Sequence, residues 1–203
     1  MNERSSLSMA LFCGSLLALV SGCAQIRFFD VPVKPTPLPA CDKLPLHAVL
    51  VLGKDLTDYQ YRRSFTGMTW AYRLGPPLQD YARRTASDWF QQVDEARSSE
   101  EATARASADI VLTPRPVKLT RTTGLRGNNN ATLTFVMQWT AEERASHNTV
   151  WLRTVTAEAT EFQGTQFTIL RHELTRLQKL FDDLSVKTHE AFGKAPELRN
   201  IPH

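Results

Sequence analysis

No apolar run in this chain reaches the roughly 20 residues that a membrane-spanning helix needs. No block of five or six like charges marks an interaction tail. The net charge is only +3 over 203 residues, with an isoelectric point near 8.9. Arg62, Arg63, Arg83 and Arg84 are the densest basic groups. A nucleic-acid footprint needs a longer stripe and a recognisable module, and both are missing.

Catalytic signatures are missing too. No Gly-x-Ser-x-Gly elbow occurs. Gly53-Lys54 lacks the upstream glycine of a phosphate loop and is followed by Asp55 where Ser or Thr should stand. His172-Glu173 opens like a zinc-protease helix, but Arg176 takes the place of the second histidine, and His189 lies well off the same helix face. Asp182-Asp183 and Glu100-Glu101 are adjacent carboxylates, which on a helix do not face each other. Asn128 to Asn130 reads as a turn. No catalytic residue, metal site or cofactor is implied, so an enzyme is the weaker expectation.

Composition supports a folded domain, with 42% hydrophobic, 22% charged and 9% aromatic residues. The N-terminus reads as an address. Arg4 and the amino group outweigh Glu3, and Leu7 to Val20 is an apolar run of signal-peptide length, about 7–15 residues. It ends in Val20-Ser21-Gly22-Cys23. This quartet resembles the lipobox of bacterial prelipoproteins: a branched apolar residue, two small residues and the cysteine.

The resemblance implies cleavage between Gly22 and Cys23 and lipid on the Cys23 thiol. One acyl chain gives only reversible membrane binding, at about 0.8 kcal/mol per buried methylene. A mature bacterial lipoprotein carries two or three palmitate-class chains and stays put. Ala24 and Gln25 follow the cysteine where an inner-membrane retention signal would place Asp. The resemblance therefore implies the outer membrane, facing the periplasm.

There are three cysteines. Cys13 leaves with the signal peptide and Cys23 becomes a thioether, which leaves Cys41 without a partner. An inert thiol, an intermolecular disulfide and a reactive thiol are the alternatives for Cys41. His47 is near in sequence, but the surrounding prolines suit a rigid catalytic geometry poorly.

The expected organisation is residues 1–22 signal peptide, 23–45 lipidated proline-rich tether, 46–193 folded domain and 194–203 C-terminal tail. Pro32, Pro35, Pro37, Pro39 and Pro45 favour polyproline II, a semi-stiff spacer of up to roughly 50 Å. Phe28 and Phe29 either dip into the headgroups or pack on the domain.

In the domain, His47 to Gly53 reads as a buried strand and Met68 to Leu74 as an alternating one. Gly75-Pro76-Pro77 starts a helix expected to run to Ala96. Arg97 to Ser107 reads as a loop or frayed helical end, and Ile110 to Leu112 opens a strand that lies at an edge or is bulged past Thr113, because Pro114 and Pro116 remove ladder donors. Gly124 to Asn130 reads as a turn. Leu133, Phe135, Met137 and Trp139 alternate with polar residues, as do Trp151, Val155, Ala157 and Ala159. These two strands should pair as a hairpin with both tryptophans in the core.

The last helix is expected over Gln166 to Phe192, its seam formed by Leu170, Leu174, Leu177, Phe181, Leu184, Thr188 and Ala191. The seam either packs across the sheet or, where a helix of roughly 40 Å overhangs a small sheet, docks in part on a partner helix. The expected fold is α+β: a two-layer sandwich with a mixed or mainly antiparallel sheet of about five strands and two helices on one face.

Trp70-Ala-Tyr-Arg-Leu-Gly75, then Phe90-Gln-Gln-Val93 and Ala108-Asp-Ile-Val-Leu-Thr-Pro114, resemble the outline of small periplasmic auxiliary lipoproteins of envelope transport systems. The resemblance implies a compact α/β domain and no site residue. The leading functional expectation is a membrane-anchored periplasmic lipoprotein that binds or scaffolds as an accessory of an envelope assembly or transport machine. Its partners would be the membrane, through lipid on Cys23, and an envelope protein, with no nucleic acid. The alternatives are an envelope enzyme acting on glycan and a passive lipoprotein linking membrane and cell wall.

Overall fold

The structure, a computed structural model, describes residues 26–65, 68–105, 107–124, 130–162 and 168–201. The expected signal peptide and the cleavage and lipidation residues, Gly22 and Cys23, lie outside them. So do residues 125–129 of the expected Gly124 to Asn130 turn. Among the described residues no helix is long and apolar enough to cross a membrane.

The fold mixes strands and helices in two sheets. Strands β1 (Ile26–Asp30), β3 (Gln60–Phe65) and β4 (Met68–Arg73) form a three-stranded sheet in the order β1-β4-β3. Most of this sheet belongs to a small unit of its own. Within that unit Phe29 packs edge-on against Trp70, at 5.8 Å between ring centroids, while Phe28 is exposed.

The larger unit holds a five-stranded mixed sheet in the order β5-β2-β6-β7-β8. Its strands are β2 (Leu44–Val51), β5 (Phe90–Ala96), β6 (Ile110–Thr123), β7 (Asn130–Glu143) and β8 (Thr149–Phe162). β5 and β6 flank β2 in parallel. β6, β7 and β8 form antiparallel pairs. The expected hairpin is present, with Met137 opposite Val155 and Phe135 opposite Ala157. The inward residues of β7 and β8, both tryptophans included, are buried.

Helix α1 (Lys54–Thr57) follows β2, α2 (Gly75–Trp89) follows β4, and α3 (Ser99–Thr103) follows β5. Helix α4 (Ile169–Gly193) and the short α5 (Pro196–Arg199) end the chain. Phe192 of α4 joins the long helices to the sheet. Its ring lies 4.6 Å from Trp151, 5.4 Å from Trp139 and 6.0 Å from Trp89 of α2, centroid to centroid. Ala195, Leu198 and Ile201 continue the packing beyond α4.

Two expectations need correction. The helix from Pro77 does not run to Ala96: it stops at Trp89, and Phe90 turns into β5. Trp89 and Val93 continue the helical spacing, so periodicity alone could not mark the break. Backbone pairing with β2, from Leu44 opposite Phe90 to Val51 opposite Ala96, overrides local preference.

The strand opened by Ile110 is bulged past Thr113, one of the two forms expected of it. It continues to Thr123 with a bulge between Pro116 and Lys118. Only Ile110 to Leu112 pair with β2. Beyond them β6 pairs through β7 alone, so Pro114 and Pro116 have no ladder bond to lose on the side of β2.

The expected mixed sheet of about five strands is present, but β1, β3 and β4 form a second sheet, to which Met68 to Arg73 belongs. The parallel strands are buried on both faces. Val49, Val51 and Val111 form a second small core with Ala96, Ala102 of α3 and Ala108. By alternation, Ala48, Leu50, Ile110 and Leu112 lie on the opposite face, and they too are fully buried.

Gly75 is required by a close approach. A Cβ there would lie 1.8 Å from the Thr57 carbonyl oxygen, so only glycine lets α2 begin against the end of α1.

Candidate functional site

The proline-rich segment after β1 departs from a free-standing spacer. Proline has no N–H, so residues 31–43 depend on side chains to hold them. Gln178 of α4 acts as a neighbouring strand would: Oε1 accepts from Lys34 N at 2.7 Å and Nε2 donates to Lys34 O at 3.0 Å. Thr36 Oγ1 donates to Asp182 Oδ1 at 2.7 Å. Val31 turns inward, while Pro32, Pro35, Pro37 and Pro39 face solvent. The segment is a strap laid across the helices.

Under the strap lies a cavity of about 390 Å³, within the range of small-molecule sites. Leu38, Pro39 and Cys41 form one wall, and Tyr81, Arg84 and Asp88 of α2 another. Its charges are mixed, with Arg84 and Lys43 countered by Asp88. Tyr81 is buried. Burial pushes its phenol far above the ordinary value of 10.0, and its hydroxyl donates to Thr188 Oγ1 of α4.

Cys41 is a free, half-buried thiol at this rim, donating to the Asp88 carbonyl at 3.2 Å. Burial first, then the negative charges of Asp88 and Asp42, raise its pKa above 9.0. That holds it as the thiol, whereas attack and exchange need the thiolate. His47, the neighbour a reactive Cys41 would want, is turned elsewhere. Its Nδ1 meets Ser107 O at 2.8 Å and its Nε2 meets Asp94 Oδ2 at 3.1 Å. Its backbone N donates to Asp109 Oδ2 at 2.7 Å. The structure does not bring Cys41 and His47 together as nucleophile and base.

Glu173, which sequence reading set aside as a broken zinc motif, is fully buried and ion-paired with Arg176 one turn on. Arg176 Nη2 also donates to the Glu161 and Phe162 carbonyls at the end of β8, both at 3.3 Å. Only their spacing of three residues signalled this pair. The buried face of α4 accordingly includes Ile169, Glu173, Arg176 and Leu180, while Leu170 and Leu174 of the expected seam are half-buried. Among the described residues no group of three or more His, Cys, Asp or Glu is placed to hold a metal ion.

No family model matches the chain, and no curated protein matches it. Among solved structures, the chain is similar to a Xanthomonas campestris protein of the family model DUF330. The TM-score is 0.54 at 14% identity, over 83% of this chain and 97% of that one. Lower scores relate it to rare lipoprotein B from Shewanella oneidensis (TM-score 0.44, 9% identity, 74% of this chain and 96% of that one). The minor lipoprotein from Acinetobacter baumannii scores 0.40 at 14% identity, over 78% and 96%. At these identities the likeness is one of fold, and it rests on the Xanthomonas protein.

Proposed function

We propose that the chain is a lipid-anchored lipoprotein of the bacterial envelope, serving as a binding or scaffolding accessory of an assembly or transport machine. The observation that carries this reading is Val20-Ser21-Gly22-Cys23 at the end of an apolar run of signal-peptide length. Cys23 is the lipid attachment point, and Gly22 is the last residue removed. Ala24 and Gln25 favour the outer membrane, with the folded part facing the periplasm.

The strap changes what the anchor does. Three residue steps separate Cys23 from Ile26, a reach of at most about 11 Å. Ile26 and Phe28 expose 45% and 49% of their surface on β1, so they would rest in the headgroup region beside the lipid. The proline segment, hydrogen-bonded to α4, then serves as a wall of the fold and not as a long reach. A protein partner is proposed on the same reading, and an intermolecular disulfide through Cys41 is one way to hold it.

The test is Cys23→Ser in cells. The expected result is an unprocessed precursor without the acylated membrane form. Normal processing and normal acylation of that variant would remove the anchor from the proposal. Crosslinking in intact cells, with Cys41→Ser beside wild type on non-reducing gels, tests the partner. A stable envelope protein should be recovered, and repeated recovery of none counts against the accessory role.

A further inference from the structure

The parallel half of the large sheet carries a second feature, distant in sequence from the anchor and the strap. The chain leaves β2 and returns as β5 on one side of it. It then leaves β5 through α3 and returns as β6 on the other side. The connections therefore diverge at the carboxyl ends of these three parallel strands. That topological switch is where open sheets with helices on both faces form a ligand crevice. A crevice of about 310 Å³ opens at this place.

Its lining is basic. Lys54 comes from the turn after β2, Arg97 from the turn after β5, and Arg115 from the continuation of β6. Asp55 is the one carboxylate in the lining, 3.6 Å from Arg115. Among the described residues neither Lys54 nor Arg97 has a carboxylate within ion-pair distance of its side chain. Glu101 of α3 accepts from the Arg97 backbone N at 2.8 Å and from Arg105 at 3.3 Å, and the Arg97 charge is near enough to help lower its pKa. Ser98 and Ser99 add hydroxyls. Gly53 sits at the lining with nothing within 4 Å of where its Cβ would stand.

The geometry points to a binding site for a phosphate group carried on a small polar body. Arg97 and Lys54, with Arg115 beside Asp55, bring guanidinium and ammonium donors suited to the oxygens of such an anion. The space exceeds what a bare ion fills. The phosphate arrives either on a free soluble molecule or as a phospholipid headgroup. The inference does not rest on the lipid anchor, because Cys23→Ser leaves every one of these residues in place.

Calorimetric titration of the full chain in non-ionic detergent tests it. The probes are inorganic phosphate, glycerol 3-phosphate, and mixed micelles doped with phosphatidylglycerol or with phosphatidylcholine. Saturable binding of the first two identifies a soluble source. Binding confined to phosphatidylglycerol micelles identifies a headgroup. In either case Lys54→Glu/Arg97→Glu should weaken binding by about tenfold or more. Gly53→Leu fills the crevice without backbone strain and should do the same. Lys194→Glu, at the far end of α4, should leave binding unchanged. Thermal melting confirms that each variant is folded. The proposal is overturned if no probe binds saturably, or if the double variant and Gly53→Leu bind as wild type does.

Discussion

The two halves of the five-stranded sheet were built by different rules. In the antiparallel half, β6, β7 and β8 are 14 residues each and β7 and β8 bury one face. Each contact there joins strands that follow one another in the chain. In the parallel half β2 is covered on both sides, and its partner β5 arrives only after α1, β3, β4 and α2. The first half is local and carries the packing. The second is non-local, and its loops converge at the crevice.

The largest expected loss lies in the antiparallel half. Trp139 is fully buried, with Tyr81 at 6.1 Å and Phe192 at 5.4 Å between centroids. Trp139→Ala should cost about 3–5 kcal/mol, read as a lower urea midpoint at unchanged slope. A loss below about 1 kcal/mol would show that the long strands do not organise this core.

Gly75→Ala should come next, although it adds one methyl group to a helix start. The new Cβ would meet the Thr57 carbonyl oxygen, and backbone cannot turn aside as a side chain can. Overpacking of this kind costs about 1–3 kcal/mol, and the urea midpoint again reads it. Wild-type stability in this variant would mean that α1 shifts freely, so the non-local half would be the looser one.

This contrast also explains what was legible in the sequence. Leu133 to Trp139 and Trp151 to Ala159 announced themselves because one face of each strand is wet and the other dry. Phe90 to Ala96 did not: Gln91, Gln92, Asp94 and Glu95 have little strand preference, and only β2 makes them a strand. β1 was hidden in the same way, inside the segment expected to be a tether.

The cavity under the strap needed Gln178 and Asp182, over a hundred residues from Lys34 and Thr36, so no local pattern signalled it. Gly53-Lys54 carries no phosphate-loop pattern in sequence, and the cations that join it come from Arg97 and Arg115. Spacing in the chain does not encode that meeting; the order of the strands does.

Tyr81 of α2 packs on Trp139 of β7 and Phe181 of α4, and Tyr81→Phe measures that join. Losing the hydroxyl should cost about 0.5–1.5 kcal/mol near neutral pH, because Thr188 loses its buried partner. The pH dependence has a definite sign. Burial raises the folded-state phenol above 10.0, so the unfolded chain loses its proton first as pH rises. Stability from this group is complete below about pH 10 and declines above it. Denaturation midpoints of wild type should fall more steeply above pH 10 than those of Tyr81→Phe. Parallel slopes would mean that the phenol is not protected.

The smallest stability effect belongs to the exposed edge of the antiparallel half. Asp183 Oδ2 accepts from Glu158 N at 2.8 Å, and Lys187 Nζ donates to the Thr156 carbonyl at 3.1 Å and to Asp183 at 2.8 Å. α4 thereby occupies outward backbone groups of β8 that would otherwise invite another strand. These side chains are partly exposed, so Asp183→Ala/Lys187→Ala should cost only about 1 kcal/mol or less. Its consequence should appear in association. Sedimentation velocity across a concentration series should show the double variant self-associating more than wild type. If its sedimentation matches wild type at every concentration, the cover over β8 contributes no protection. The antiparallel half would then owe its solubility to its threonine-rich outer face alone.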